Sequence, residues 1–402
     1  MTSIDIPTFS FFDPAFRRDP HPVLARLRAL DPVHKTPFGW IVTRHADVAR
    51  LNRDPRCGRD TRTLRGGGLA SRVAGFAGLA ETLATWMFHL DGADHARIRK
   101  LVAHAFTPRA IAEMEPAVVA VADRLLGELP DGDLDLMAGF AVPLPVTVIC
   151  ALLEVPAVDY PQIARWSHDL AEQVELTASP AQLAAADAAY HAFKAYLAEF
   201  VAGRRRQPGT GLVDRMIAAE ATTDALSTDE LLANIILLLV AGHETTTNLI
   251  GNGVWALLGH PDQLALLRAR PALAASAVEE CLRFESPANT NGRCPREDLE
   301  VGGHTIRAGQ LIVCMLGAAN RDPEVFADPD RLDITRDPNP HQAFGGGPHH
   351  CIGAALARLE GRVALRGLLA RFAALELDPA RVRWRDRINL RGLTELGVRA
   401  RR

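Results

Sequence analysis

A chain of 402 residues that is 48% hydrophobic and 23% charged has ordinary globular composition, which excludes disordered and collagen-like proteins. Its 45 basic and 48 acidic residues leave a net charge of −3, so no global field favours nucleic acid or a polyanionic partner. No stretch reads as a linker, and one domain spanning residues 1–402 is expected.

Taken in chain order, the N-terminal MTSIDIPTFSFFDPAFRRDP lacks the apolar run and cleavage site of a secretory signal. Apolar residues at three-to-four spacing predict helices over Pro22–Leu30, Ala96–Phe106 and Arg109–Leu129, with a short strand at Trp40–Thr43 between the first two. Leu136–Leu153 is uncharged but holds Pro143 and Pro145, so it reads as buried core and not as a membrane span. A further helix is predicted over Ala181–Arg204. Ser227-Thr228-Asp229-Glu230 then offers a capped helix start, and no proline follows until Pro261. A helix of about thirty residues spans roughly 45 Å. Its first half, Leu231 to Val240, is apolar almost all round and must lie inside the molecule. Short strands are predicted at Leu299–Val301, Thr305–Arg307 and Leu311–Cys314, punctuated by Gly302, Gly303 and Gly309. A helix over Ala354–Phe372 and a weak strand near Leu390–Val398 complete the outline, which is mainly α with small β-sheets. The tail from Arg381 carries eight arginines against two acids and reads as a solvated face. Six cysteines, at 57, 150, 281, 294, 314 and 351, form no CxxC pair or disulfide framework, which suits a reducing cytoplasmic setting.

Four segments concentrate chemistry. In Phe344-Gly345-Gly346-Gly347-Pro348-His349-His350-Cys351-Ile352-Gly353, a glycine loop delivers a cysteine to a helix start, where freed amides and the helix dipole favour a thiolate. Such a thiolate could ligate haem iron, attack a substrate with His349 or His350 as base, or bind zinc, the last disfavoured by the lack of a nearby second cysteine. A buried structural cysteine is the plain alternative. In Ala241-Gly242-His243-Glu244-Thr245-Thr246 the apolar helix is broken by a glycine and polar side chains. Buried glutamate is costly unless paired or used, and an acid beside a hydroxyl in a dry pocket is what a proton relay requires. A simple kink with a back-bonded threonine is the competing account. Glu280-Cys281-Leu282-Arg283 puts a carboxylate and a guanidinium on one helix face, which alone signifies little. Asp91 to Arg99 starts a helix and sets His95 and Arg99 one turn apart, suited to a carboxylate or phosphate.

Together and in this order, these motifs resemble the cytochrome P-450 superfamily of haem-thiolate monooxygenases, particularly its soluble bacterial members. FGGGPHHCIG is similar to the family's cysteine loop, AGHETT to its oxygen-binding helix, ECLR to its Glu-x-x-Arg helix, and ANRDPEVFADPDRLDITR to the meander before the cysteine loop. The resemblance implies a single helix-rich fold with haem b held by Cys351. It implies that His95, Arg99, Arg293 and His349 bind the haem propionates and that Phe344 shields the thiolate. Glu244 and Thr245 become the acid and alcohol that deliver protons to dioxygen, with Ala241 and Gly242 leaving it room. Glu280, Arg283 and Arg331 become a structural ion-pair triad.

Substrate contacts implied by the resemblance fall on Thr63–Leu90, Ile163–Tyr190, Leu237, Val240, Ala241, Ala288, Asn289, Thr290, Asn291, Leu393 and Thr394, with Gly66-Gly67-Gly68, Gly75 and Gly78 making the first segment a mobile lid. An apolar, medium-sized substrate with a few oxygens or amides is expected, such as a polyketide, macrolide, terpenoid or small peptide. Fatty-acid or xenobiotic hydroxylation is the alternative. No flavin or iron–sulfur motif is present, so electrons are expected from a ferredoxin and its reductase, docking near Lys100, Arg109, Arg358 and Arg362. A monomer is expected, with no nucleic acid or membrane partner. A haem gas sensor would have no use for Glu244 and Thr245, and a cysteine hydrolase would need a group to orient its histidine.

Overall fold

The computed structural model of the chain describes residues 10–66, 68–220 and 226–402; residues 1–9 of the N-terminal stretch read above, and Gly67 of the glycine-rich segment, lie outside the described residues. Its axis is the helix that Ser227 opens. The Ser227 hydroxyl accepts from the Glu230 amide at 3.1 Å, and the Glu230 carboxylate accepts from the Ser227 amide at 2.8 Å. This reciprocal box satisfies two otherwise unpaired donors and fixes the start of a 31-residue helix, Thr228–Leu258. The helix runs through the interior, packed by Pro143–Leu152, Tyr160–Leu170, Ala274–Phe284 and Ala354–Arg371. Buried Asn234 pins a neighbouring segment to it, accepting from the Met87 amide and donating to the Thr85 carbonyl.

Close approach explains the helix's glycines. A Cβ on Gly242 would sit 2.8 Å from Ile149 Cγ1, and one on Gly251 would sit 2.5 Å from the Met137 sulfur. Gly242 thus makes room for the Pro143–Leu152 helix.

The predicted helices form at His21–Leu30, Gly92–Ala103, Pro108–Glu128, Pro180–Arg206 and Ala354–Arg371. Leu136–Leu153 is core, most of it in the Pro143–Leu152 helix, and no described helix is long and apolar enough to cross a membrane. A five-stranded sheet runs in the order Val33–Thr36, Gly39–Val42, Ile312–Met315, Thr290–Pro295 and Cys57–Gly58, with its second and third strands parallel. A three-stranded sheet joins Gly132–Asp135, Leu393–Arg401 and Ala374–Trp384, and Leu299–Val301 pairs with His304–Ile306 across a Gly302-Gly303 turn in which both φ angles are positive. Thr290–Pro295 escaped the sequence reading because almost every residue in it is buried, so no alternation marks it.

The arginine tail is only partly a solvated face. Arg399 and Arg401 pair with Asp133 and Glu376 at the surface, whereas Arg387 and Arg391 are buried. The ion-pair triad also needs correction. Arg283 grips Glu280 with two bonds of 2.7 Å, both side chains fully buried, but the second cation on Glu280 is Arg336 at 3.2 Å. Arg331 contributes only its backbone carbonyl, which accepts from Arg283. Arg283 also donates to the carbonyls of Asn320 and Pro329, so this cluster fastens the meander to the Ala274–Phe284 helix.

Candidate functional site

The glycine loop closes on itself through a 3.0 Å bond from the Cys351 amide to the Phe344 carbonyl, with Gly345 and Gly347 both at positive φ. A side chain on Gly347 would strike the Asn52 carbonyl, so only glycine fits there. The loop presents Cys351 just ahead of the Ala354–Arg371 helix. Cys351 is exposed, while the other five cysteines are buried. Desolvation pushes its thiol up, against the Gly353 amide, Arg99 and Arg358, which favour the thiolate. Loop amides and helix start therefore act in the expected direction, but in the protein alone burial outweighs them. Phe344 is half-buried, with the Arg358 guanidinium 4.5 Å over its ring.

His349 does not serve Cys351 as a base. Its ring bonds Asp91 at 2.9 Å and packs 4.2 Å from the His95 ring; of Cys351 the His350 ring meets only the backbone, and among the described residues no histidine ring hydrogen-bonds the Cys351 sulfur. The hydrolase reading thus lacks its general base. Arg99, one turn beyond His95, donates to the His350 carbonyl at 2.6 Å and reaches toward the cysteine.

Around His349 lies a cluster of cations from separate segments. Arg293 is fully buried, and its Nη1 donates to Asn291 Oδ1 at 2.7 Å, while Nε and Nη2 have no hydrogen-bond partner. The same Asn291 oxygen accepts from Arg59 Nη1 at 2.9 Å, and the Arg59 guanidinium stacks 3.8 Å from the Phe88 ring. Burial lowers His349 to about 4, with the nearby Arg59, His95 and Arg293 in the same direction. Burial would raise Asp91, but the His349 ring and the Asp60 and Arg59 amides together hold it well below the usual carboxylate range. Unpaired buried donors on a cationic surface are what a bound carboxylate satisfies, so this cradle fits the acidic edge of a haem.

On the long helix, Ala241 is exposed and Gly242 and Thr245 are half-buried, although almost every residue from Leu231 to Leu257 is buried. Ala241 and Thr245 lie one turn apart on one face, with Leu237 a turn before them, so this stripe borders an internal cavity. The Thr245 hydroxyl donates to the Ala241 carbonyl at 2.8 Å. Glu244, one residue round the helix, accepts from Arg387 at 3.0 Å and approaches His168 at 3.3 Å. Burial would raise its pKa, but His168, His243, Arg385 and Arg387 outweigh that and keep it ionised. His243 itself is buried with neither ring nitrogen hydrogen-bonded.

The substrate-facing expectations divide. Leu237 and Val240 lie on the long helix near Ala241, and Ala288 is half-buried. Asn289 packs its side chain against Gly317. Thr290 binds Asn389, and Asn291 is committed to Arg59, Arg293 and Asn52, so their hydrogen-bonding capacity is spent within the protein. Leu393 is core, paired with Trp384, and Thr394 is exposed with its hydroxyl on the Arg383 carbonyl. The residue that abuts Ala288 is Leu390, bridged to it across the turn before Leu393. That turn is clamped by buried Glu175, whose carboxylate accepts from the amides of Ile388, Asn389 and Leu390. Of the basic residues expected to dock a partner, Arg109, Arg358 and Arg362 pair with Glu113, Glu279 and Glu115, so that face carries both signs.

Arg59, Arg387 and His168 were not anticipated, since each comes from a segment without a recognisable motif and is brought in only by packing; Arg336 ends the recognised meander stretch, but nothing local marks it rather than Arg331 as the partner of Glu280.

Residues 267–385 match the family model described as Cytochrome P450. Vitamin D(3) 25-hydroxylase of Pseudonocardia autotrophica is 43% identical over 99% of this chain and 98% of its own, and cytochrome P450 monooxygenase PikC of Streptomyces venezuelae is 40% identical over 96% and 92%. Among solved structures, epothilone D-bound cytochrome P450epoK superposes with a TM-score of 0.91 at 31% identity, covering 98% of this chain and all of the other. Cysteine loop, cationic cradle and interrupted long helix thus occur in a chain matched end to end by such relatives, and it belongs to the cytochrome P450 family.

Proposed function

We propose that this cytochrome P450 holds haem b through Cys351 and hydroxylates or epoxidises a medium-sized apolar intermediate of secondary metabolism, of the polyketide or macrolide kind. The observation that carries this is the occurrence together of an accessible cysteine, a buried, under-satisfied cationic cradle and a partly exposed alanine–threonine stripe inside an otherwise buried helix. The relatives support the substrate class: 6-deoxyerythronolide B hydroxylase is 38% identical over 96% of this chain, and tirandamycin C-bound TamI superposes at a TM-score of 0.87. A fatty-acyl substrate is the second reading, supported by the P450BioI complex with hexadec-9Z-enoic acid ligated acyl carrier protein, at a TM-score of 0.89.

Bound there, haem supplies an iron that activates dioxygen, with an anionic sulfur favouring O–O cleavage. His95, Arg99, Arg293 and His349 hold its carboxylates, and Phe344 limits water at the sulfur. Leu237, Val240, Ala288 and Leu390 offer an apolar surface to the substrate. Thr245, on the cavity face, orders water beside the reacting atoms, and Glu244 hands protons to it. His168, with its side chain 44% exposed, connects Glu244 to solvent. Electrons come from a ferredoxin and its reductase.

The test is the carbon monoxide difference spectrum of the reduced protein, with haem quantified on the same sample. A strongly red-shifted Soret band that disappears in Cys351→Ala is expected. A conventional Soret position, or protein without haem, overturns the assignment.

A further inference from the structure

Arg59 and Arg293 reach the same oxygen of Asn291 from different segments, one just after Cys57–Gly58 and one within Thr290–Pro295. Two guanidiniums drawn to one amide oxygen repel each other, and each is desolvated. Among the described residues, no carboxylate lies within ion-pairing distance of either. The nearest acid, Asp91, is already engaged by the His349 ring, by Arg296 at 3.2 Å, and by the Arg59 and Asp60 amides. Arg293 leaves two donors unsatisfied. Arg59, although desolvation dominates its titration, keeps accessible surface, as a side chain does when it borders an internal cavity. Buried cations without counter-charges are among the least favourable arrangements in a folded protein, so this pair is built around an anion that the chain does not itself provide.

We infer that Arg59 is a further haem-binding residue, which with Arg293 forms a guanidinium pair, bridged by Asn291, that holds the haem's carboxylate edge together with the His95–Arg99 helix. This rests on the haem reading above. No sequence motif surrounds Arg59. Phe88 completes the arrangement by stacking on its guanidinium, which fixes the plane of the fork without consuming its donors. The pair also bears on redox behaviour, because a cation near the iron favours the reduced, less positive state.

The experiment compares holoenzymes of wild type, Arg59→Met, Arg59→Lys and the surface control Arg124→Met. Haem transfer to excess apomyoglobin and the ferric/ferrous midpoint potential are read on each, with thermal unfolding as a check on structure. In Arg59→Met, haem leaves about tenfold faster or more, as loss of a charge-assisted bond implies, and the potential falls. Arg59→Lys is intermediate, because it keeps the charge but not the fork, and Arg124→Met matches wild type. Wild-type transfer rate and potential in Arg59→Met overturn the inference even if that variant is less stable. Should Arg59→Met fail to fold, Arg59→Lys decides alone: it must lose haem faster than wild type. Wild type that purifies without haem defeats the functional reading and this inference together, whereas normally loaded wild type with indifferent Arg59 variants defeats the inference only.

Discussion

Two adjacent side chains on the long helix, Glu244 and Thr245, live in opposite surroundings. Thr245 meets the cavity and satisfies its hydroxyl within the helix, while Glu244 turns into a charged network of Arg387, His168 and Glu172. Arg387 is the hub, bonding Glu172 at 2.5 Å and Glu244 at 3.0 Å with little exposure of any of the three. Removing one partner of a buried pair leaves a charge stranded, which costs about 3–5 kcal/mol. Arg387→Gln is therefore expected to destabilise the protein by roughly that amount, and Arg387→Gln combined with Glu244→Gln to recover part of it. Urea unfolding of the single and double variants measures this, and an equal loss in both excludes the coupling. The network also joins the end of the Tyr160–Leu170 helix to the Arg385–Arg391 turn, so Glu244 is held by both segments.

At the level of elements, the long helix is placed by small residues where its neighbours come close. Gly242 accommodates Ile149 and gives up about 1 kcal/mol of helix propensity in doing so. Gly242→Ala should then destabilise wild type by about 1 kcal/mol net, since overpacking costs about 1–3 kcal/mol and outweighs the propensity gain. In an Ile149→Ala background the sign reverses, because the added methyl fills part of the space left and the propensity gain remains. Thermal unfolding of the four proteins shows whether the two sites interact. A Gly242→Ala effect of the same sign in both backgrounds rules out Ile149 as the reason for the glycine. The Glu175 clamp acts at the same scale. One carboxylate takes three backbone amides that would otherwise be buried unpaired, and it fixes the turn that puts Leu390 against Ala288.

For the whole molecule, buried carboxylates set the response to acid. Glu279 is lowered to about 2 because His341 and Arg358 outweigh its burial, and Asp91, Glu244 and Glu285 are held lower still. Depressed in the folded state, each contributes stability that is present above the unfolded value of about 4.3 for glutamate and 3.9 for aspartate. That stability is lost as pH falls toward the folded values, so the melting temperature should drop steeply between about pH 5 and pH 3. Glu279→Gln should soften the drop, and a melting temperature indifferent to pH across that window would contradict the assignment. The sequence by itself determined the long helix, because its cap, its apolar run and its lack of proline are local facts. It also determined the cysteine loop and the His95–Arg99 spacing, since each is a short motif whose geometry is set within one or two turns. Tertiary structure alone decided which cation closes the Glu280 cluster, that Gly242 abuts Ile149, that Leu390 meets Ala288, and that Arg59 shares Asn291 with Arg293. Those outcomes depend on segments far apart in the chain meeting in space, and neither periodicity nor local spacing carries that information.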